Sequence, residues 1–320
     1  DCIHKFRGMF AFALWDARKK ELWLVRDRLG VKPLYYSMHH GRLNFASEIK
    51  ALLQDPDQER KVNEEALLDY LSFLTTPAPN TLFSGIKKLS CATWLRVGPD
   101  GMSTEHRYWD VLDHMSSLQD VPDEQLAAMV LSELRTAVKL RKVSDVPVGV
   151  FLSGGIDSST NAALFSEDAC GQVKTFTIGY EGSHQSYRNE LEYAKYVASQ
   201  VGAEYHEKLL TVSDLIEFLP RMVRLQDEPI ADPVCFPVYF VSKLARDNGV
   251  TVCQVGEGAD ELFWGYPGWK TSLRLQSLNE LPIPASMKHA GLWAMRALGK
   301  DRGFSYEWLR RGAEGQPIFW

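Results

Sequence analysis

The sequence is poor in cysteine, and its cysteines form no pattern that metal binding or cross-linking requires. Five cysteines stand at positions 2, 91, 170, 235 and 253. None belongs to a CxxC pair or to a Cys/His spacing typical of zinc sites, and an odd number leaves one thiol over if the others pair. We therefore predict neither a zinc site nor a disulfide framework, and a reducing, cytoplasmic location.

The sequence also lacks long hydrophobic runs and an excess of positive charge. No segment approaches the about 18 uninterrupted apolar residues of a membrane helix, and no signal-peptide pattern opens the chain. The formal net charge is −5, which disfavours nucleic acid because a polyanion needs a positive field. We expect no membrane and no nucleic acid partner, but small-molecule substrates, with a homodimer left open.

What the sequence does contain is an ordinary globular composition with a change of pattern. Hydrophobic residues make up 45% of the 320 positions, enough for two domains at roughly 150 residues each. Up to Trp109 the pattern favours strands, and large residues on both faces of 9–15 predict a hairpin buried on both sides. Ser47 is expected to cap a short helix. A polar stretch follows Trp109, and we place the boundary between residues 112 and 113.

The second half alternates strands with helices. Apolar runs at 148–152, 174–178, 204–210 and 250–255 predict strands, and 124–141, 159–165, 190–201, 213–226 and 238–247 predict helices. Strands separated by helices of that length favour a doubly wound parallel sheet, whose ligands lie at the carboxyl ends of the strands. We therefore expect the functional residues in the loops that follow these strands.

The first such loop is Ser-Gly-Gly-Ile-Asp-Ser at 153–158, between a predicted buried strand and a helix. Gly154 and Gly155 let the backbone approach a ligand, while aligned amides and the hydroxyls of Ser153 and Ser158 favour an anion. Asp157 would repel phosphate unless a hard cation such as Mg²⁺ bridges the two. A plain strand-to-helix turn with a capping serine is the alternative interpretation.

The loop has no GxxxxGK[ST] pattern, so no lysine is placed to reach a γ-phosphate. An ordinary P-loop kinase or GTPase is therefore disfavoured, and pyrophosphate is the better fit.

The second loop, Val255–Pro267, places Gly256 and Gly258 beside the carboxylates of Glu257, Asp260 and Glu261. These carboxylates could hold magnesium and handle an amine proton; an acidic helix start favoured by the helix dipole is the alternative.

On these two loops the sequence resembles the N-type ATP pyrophosphatases, whose pattern SGGxDS it matches at every fixed position. Within them it resembles the glutamine-hydrolysing asparagine synthetases, whose second loop reads GEGSDE or GEGADE before FxGY. Segments 8–16, 26–36 and 45–52 look like the later half of a class II glutaminase domain. The resemblance covers nearly the whole chain, and it also includes 227–232, to which we assign no role.

The resemblance implies a domain at 1–112 that is the later part of an α+β glutaminase domain of the N-terminal nucleophile type. It further implies an ATP pyrophosphatase domain at 113–320 with an adenine nucleotide alpha hydrolase-like fold. The activity implied is that of an ATP-dependent carbon–nitrogen ligase: MgATP adenylates aspartate, and ammonia from glutamine gives asparagine, AMP and pyrophosphate. An amidotransferase for a sugar acid, a β-lactam-synthetase-like cyclase and an inactive nucleotide-binding fragment stay open.

By the same likeness, individual residues take roles. Glu257 is the catalytic residue, which assists formation of the acyl-adenylate and its attack by ammonia. The remaining residues are implied to bind ATP or metal: Leu152 and Ile178 contact adenine, Val255 and Gly256 the nucleotide, Ser153, Gly154, Gly155, Asp157 and Ser158 the pyrophosphate, and Asp157 and Asp260 magnesium.

The sequence departs from the family at both ends. The family's glutaminase nucleophile is an amino-terminal cysteine followed by Gly-Ile, whereas Cys2 follows Asp1 and precedes Ile3. We therefore expect Cys2 not to be the nucleophile, and this chain to be a fragment that does not hydrolyse glutamine. A half domain that has lost neighbouring strands should also expose strand edges.

Overall fold

A computed structural model describes residues 2–115, 118, 120–169, 171–182 and 190–316. Cys170 and the last four residues of the predicted second domain lie outside the described residues. The chain divides into two compact units, Asp1–Gln254 and Val255–Trp320. The predicted boundary between residues 112 and 113 lies inside the first unit and stays a prediction.

The first part of the chain folds into two antiparallel sheets. One sheet has the order β1-β2-β6-β7 and the other β4-β3-β5. The elements in chain order are β1 (Ala11–Asp16), β2 (Glu21–Arg26), β3 (Tyr35–His39), β4 (Arg42–Ala46), α1 (Ile49–Leu52), α2 (Glu64–Phe73), β5 (Ile86–Lys88), β6 (Thr93–Val97) and β7 (Ser103–Arg107). The central strands bury Leu24 and Leu95 in one core, and Ile49 and Ile86 lie in another.

The prediction that the first hairpin is buried on both sides is wrong for β1. Leu14 and Trp15 are 55% and 58% exposed, although Phe12 packs against the cluster around Val25. β1 lies at the edge of its sheet. Leu14 and Trp15 are neighbours in the strand and so lie on opposite faces, and neither face is buried at these positions. An apolar pattern on both faces shows what a strand could bury, whereas the neighbouring layers determine what it does bury.

The second part forms the parallel sheet. Its elements are α3 (Asp123–Arg141), β8 (Val148–Phe151), α4 (Ile156–Glu167), β9 (Lys174–Tyr180), α5 (Leu191–Gln200), β10 (Glu204–Leu210), α6 (Val212–Leu225), α7 (Cys235–Asp247) and β11 (Val252–Gln254). The strand order is β10-β9-β8-β11, and every neighbouring pair is parallel. The predicted doubly wound parallel sheet, preceded by a partial α+β domain, is confirmed.

Helices cover both faces of the parallel sheet. Val138 of α3, Ala162 of α4 and Ala194 of α5 share one buried cluster. Val241 of α7 packs against Phe176 in another. From β8 the chain proceeds to β9 on one side, and β11 later pairs on the other side, so the direction of strand addition changes at β8. In such sheets the crevice at the carboxyl end of the strand where the order reverses is the usual ligand site.

The second unit is helical. It contains α8 (Ala259–Phe263), α9 (Pro267–Asn279), α10 (Ala285–Ala297) and α11 (Phe304–Ala313). Side-chain hydrogen bonds join the last helices: Arg296 donates to Tyr306 at 2.6 Å, and Lys288 Nζ donates to the carbonyl of Gly312 at 3.2 Å. Among the described residues, no helix has the length and apolar character needed to cross a membrane.

Candidate active site

The first loop starts at the end of β8, where both the N–H and the carbonyl group of Leu152 are hydrogen-bonded. Leu152 N–H donates to the carbonyl of Phe176 at 2.9 Å, and Thr177 Oγ1 donates to the Leu152 carbonyl at 2.6 Å. The Leu152 side chain is buried in the core, whereas Ile178, further along β9, is half-buried. The end of β8 is therefore a rigid base from which the loop projects.

Gly154 occupies a position that only glycine fits. Its φ is +86°, in the left-handed region. A Cβ there would lie 2.8 Å from the backbone N of Ala194 and 2.9 Å from the carbonyl oxygen of Glu190, at the start of α5. Since both atoms belong to backbone, neither can move aside as a flexible side chain would. The first glycine of the pair therefore serves the close approach of loop and helix.

Gly155 is different, because its own conformation would accept a side chain. It is the N-cap of α4 with φ −67° and ψ 162°, a region open to any residue. A Cβ there would meet only the Ser153 Oγ, at 3.4 Å. The fold does not require glycine at 155, so the absence of a side chain leaves the backbone accessible to a ligand.

Two serines close the loop with a hydrogen-bond network. Ser153 N–H donates to Ser158 Oγ at 3.2 Å, and the two hydroxyl oxygens are 2.9 Å apart. Gly155 N–H donates to Ser153 Oγ at 3.3 Å, and Ser158 Oγ donates to the Gly155 carbonyl at 3.2 Å. The serine oxygens thus accept from the same N–H groups that a phosphate oxygen would use. Asp157, half-buried in the first turn of α4, is the one carboxylate of this loop.

The second loop, taken within its own unit, presents carboxylates around a short helix. Gly258 caps α8 with φ +92°, and Trp264 ends the helix with φ +58°. Asp260 is half-buried, whereas Glu257 and Glu261 are exposed. A Cβ on Gly265 would overlap the carboxylate of Asp260. The backbone carbonyl of Asp260 accepts from Gly265 N–H at 3.0 Å. The turn after α8 therefore fixes where the Asp260 side chain lies.

Family models match both parts of the chain. The model described as Asparagine synthase matches residues 129–317, more than half of the sequence, and the model described as Glutamine amidotransferase domain matches residues 1–109. The chain belongs to the asparagine synthase family. This membership confirms the resemblance inferred from the two loops and from the segments at 8–16, 26–36 and 45–52.

Relatives of this asparagine synthase family chain carry several names. It is 37% identical over 88% of its length to asparagine synthetase [glutamine-hydrolyzing] 1 of Bacillus subtilis, and covers 43% of that protein. It is 33% identical over 88% of its length to putative asparagine synthetase [glutamine-hydrolyzing] 2 of Methanocaldococcus jannaschii, and covers 54% of it. Amidase chry2 of Gibberella zeae is 29% identical over 87% of the chain, which covers 42% of that protein. The chain thus spans about half the length of these relatives.

The acidic residues fit magnesium only with help from a ligand. Among the described residues, no group of three or more His, Cys, Asp or Glu side chains could hold a metal ion by itself. Mg²⁺ in nucleotide sites commonly takes one or two carboxylates together with phosphate oxygens and waters. Asp157 in the first unit and Asp260 in the second are each a single carboxylate of the kind that such sites use.

Tyr266 is a residue that the sequence analysis missed. Its Oη donates to Glu261 Oε1 at 2.7 Å. That hydrogen bond is the main reason why the pKa of Tyr266 rises to about 12, with smaller contributions from burial and from the charges of Glu261, Asp260 and Glu257. The FxGY pattern after the acidic loop contained this tyrosine, but spacing alone does not show which carboxylate it contacts.

Asp27 explains the Arg-Asp-Arg segment of the first domain. Its carboxylate is 1% exposed and accepts from four backbone N–H groups, those of Phe10, Leu29, Val31 and Lys32, at 3.0–3.2 Å. A carboxylate bonded in this way organises the loop around it, and its acceptor sites are already used by backbone N–H groups rather than by a substrate. Cys2 lies exposed in a short 3-10 turn, Cys2–Lys5, and its predicted lack of a catalytic role stays a prediction.

Proposed function

We propose that the complete protein is a glutamine-hydrolysing asparagine synthetase. MgATP and the side-chain carboxylate of aspartate give an acyl-adenylate and pyrophosphate, and ammonia then displaces AMP to form asparagine. The observation that carries the proposal is the loop at the tip of β8, where Gly155 N–H, Ser153 Oγ and Ser158 Oγ converge beside an open glycine. The loop has no lysine for a γ-phosphate, which favours pyrophosphate as the leaving group.

In this proposal the first loop does most of its work on the leaving group. Pyrophosphate departs with negative charge, and fixed N–H dipoles that already point at its position stabilise that charge without rearrangement. The serine hydroxyls give up their mutual hydrogen bonds and donate to phosphate oxygens instead. Asp157 and Asp260 are each proposed as a carboxylate ligand for magnesium, which when bound would neutralise charge on the phosphates.

Glu257 is proposed as the catalytic residue, which assists formation of the acyl-adenylate and its attack by ammonia. It is exposed in its own unit, so its carboxylate is free of the core and can accept a proton from attacking ammonia. Val255 and Gly256, the residues before it, are proposed to contact the nucleotide, as are Leu152 and Ile178. The Leu152 side chain is buried, and its N–H and carbonyl groups are both hydrogen-bonded. Leu152 therefore holds the end of β8 in place and is not expected to move during the reaction.

Isotope exchange between labelled pyrophosphate and ATP tests the proposal in the complete protein. We expect exchange that depends on aspartate and Mg²⁺. In Glu257→Gln, asparagine formation from added ammonia should fall at least about 100-fold, as for loss of a general base, because that measurement includes the attack by ammonia. Glu261→Gln is the matched control, since it removes a neighbouring carboxylate of the same loop. Exchange without any aspartate requirement would refute the assignment of substrate.

A second candidate keeps the adenylation and changes the acceptor. A sugar acid or an intramolecular amide closure stays open as the acceptor, because the ATP loop alone does not select the acceptor. Profiling AMP release across carboxylates separates these alternatives: release with aspartate alone supports the asparagine synthetase. Binding of MgATP without turnover on any carboxylate would instead favour a nucleotide-binding scaffold.

A further inference from the structure

Two acidic residues in the segment that joins α6 to α7 make long-range contacts with the first domain. Asp227 Oδ2 accepts from Ile49 N–H at 2.6 Å, although the two residues are 178 positions apart. Its Oδ1 lies 3.1 Å from Lys50 Nζ. Asp227 thus takes the place of a local cap for α1, whose own N-cap residue, Glu48, makes no side-chain capping bond.

Glu228 makes a second, more deeply buried connection. Its Oε1 accepts from Leu82 N–H at 2.6 Å, and its Oε2 lies 2.9 Å from Lys88 Nζ. The Glu228 side chain is 8% exposed and the Lys88 side chain 15%. Two charges withdrawn from water to this degree persist only when each is matched by the other, so neither partner is dispensable. Ala231 N–H adds a bond to the Leu74 carbonyl at 3.0 Å, just after α2.

The ring of Tyr35 lies near both carboxylates. Burial raises its pKa most, and the charges of Glu228 and Asp227 raise it further. Tyr35 is the first residue of β3, so both carboxylates lie close to the second antiparallel sheet. The segment 227–231 therefore contacts α1, the end of α2, and the sheet that contains β3 and β5.

The direction of α7 shows which part of the parallel sheet this segment reaches. At its C-terminal end, Asn248 accepts from Lys174, the first residue of β9, at 3.0 Å. At its N-terminal end, Phe236 packs in the cluster of Leu210 and Tyr180, the last residues of β10 and β9. α7 is therefore antiparallel to the strands, and residues 229–234 precede it at the carboxyl edge, the edge from which the 153–158 loop also projects.

From these contacts we infer that Asp227 and Glu228 are positioning residues, which fasten the segment 229–234 to the first domain and so fix one wall of the acceptor site at the carboxyl edge of the sheet. The inference rests on the proposed function for the identity of that site. The hydrogen bonds and ion pairs that Asp227 and Glu228 form among the described residues go to Ile49, Lys50, Leu82 and Lys88, so the acceptor, rather than ATP, is the substrate that should respond to their loss.

Hydrogen exchange of the complete protein tests the fastening without reference to activity. In Glu228→Gln we expect faster exchange, by about tenfold for the loss of one buried ionic contact, in two places: at Leu82 and across 229–234. The 153–158 loop should not change. Glu167→Gln is the matched control, because it removes a carboxylate from an exposed pair with Arg135 inside one domain and should leave all three regions unchanged.

Kinetics test the positioning. Glu228→Gln should raise KM for the acceptor carboxylate by about tenfold, on the same reasoning, while the Kd for MgATP measured by calorimetry stays within about twofold. Asp227→Asn, which keeps an oxygen for Ile49 N–H, should be milder than Asp227→Ala. Equal loss of ATP and acceptor binding, or faster exchange at Leu82 with no change in 229–234, would overturn the inference.

Lys50→Gln provides a variant that preserves the buried pair. Lys50 is 42% exposed and contacts Asp227 and the Leu225 carbonyl, so its loss should leave the chain folded. We expect a two- to threefold increase in hydrogen exchange across 226–234. If Glu228→Gln does not fold, this variant decides the test, and an unchanged exchange rate in Lys50→Gln would overturn the inference. If the unsubstituted protein shows no pyrophosphate exchange while the hydrogen exchange follows these expectations, the proposed function fails and the fastening stands.

Discussion

The two loops that carry the candidate functional residues, one in each compact unit, obtain their shapes in different ways. The loop at 153–158 is held by a rigid strand end, by four hydrogen bonds among Ser153, Gly155 and Ser158, and by contact of Gly154 with α5. The loop at 255–261 is exposed at Glu257 and Glu261. Glu261 accepts from Tyr266 and Asp260 lies against Gly265, both in the turn that follows α8.

The comparison indicates that the two loops have different roles: the first binds the departing pyrophosphate, and the second supplies carboxylates that accept a proton. A site for a departing polyanion gains from donors fixed in advance, because their orientation then costs nothing during the reaction. Carboxylates that accept a proton gain from exposure and freedom to adjust. Substitutions in the first loop should therefore cost stability as well as binding, whereas substitutions in the second should change chemistry and leave stability nearly unaltered.

The largest expected effect is that of Gly154→Ala on stability. The substitution combines a left-handed φ with overlap against the backbone of α5, so we expect a loss of about 2–4 kcal/mol in the free energy of unfolding. Urea denaturation measures it. Gly155→Ala is the matched control and should cost less than about 1 kcal/mol, yet weaken MgATP binding in calorimetry. Equal stability of the two variants would mean that α5 does not confine Gly154.

Ser158→Ala should have the next largest effect. The hydroxyl is 9% exposed and takes part in three hydrogen bonds of the loop, so its loss should cost about 1–2 kcal/mol. Ser153→Ala removes an exposed hydroxyl and should cost less. Thermal denaturation of both variants decides the order, and the reverse order would show that the network does not depend on the buried serine.

Gly265→Ala should affect the second loop without a comparable loss of stability. A Cβ there displaces the Asp260 carboxylate. Because the carboxylate is the end of a side chain that can rotate away, the loss of stability should be small. We expect the Mg²⁺ concentration for half-maximal pyrophosphate exchange to rise by about tenfold, as for a displaced metal ligand. Gly268→Ala, where a Cβ meets nothing within 4 Å, is the control. An unchanged magnesium requirement would mean that Asp260 is not a ligand of the metal.

The smallest expected effect concerns the titration of Tyr266. Its pKa of about 12 lies above its ordinary value of 10.0 because it donates to Glu261. The stabilisation from this bond is therefore complete below about pH 10 and is lost as the pH rises towards 12. The ring-carbon NMR resonance of Tyr266 should titrate at lower pH in Glu261→Gln. An unaltered midpoint would mean that Glu261 is not its acceptor.

Much of the architecture followed from local patterns. β10 was predicted with its observed bounds, α3 within one residue, and the parallel sheet from the alternation of strands and helices. The side chain of Asn63, the N-cap of α2, accepts from Ala66 N–H three residues later. These features depend on neighbours in sequence, whose spacing and chemistry the sequence displays directly.

What the sequence did not predict depends on distant residues. Ser47 was expected to cap α1, and this is wrong: the cap position is Glu48, and the acceptor for Ile49 N–H is Asp227. The exposure of Leu14 and Trp15 in β1 likewise depends on what lies across the sheet rather than on the strand itself. The proposed roles of the nucleotide-binding residues, Glu257 and Asp260 rest on the family resemblance and stay predictions.

The cap that Asp227 supplies to α1 also bears on the order in which the protein can mature. A ribosome releases residue 49 long before residue 227, and domains generally form from the N-terminus during synthesis. The amide at Ile49 must therefore remain hydrated, or bonded elsewhere, until the later domain has emerged. Completion of the earlier domain thus waits for the later one, and a nascent chain halted before residue 227 should hold a first domain that is still unfinished.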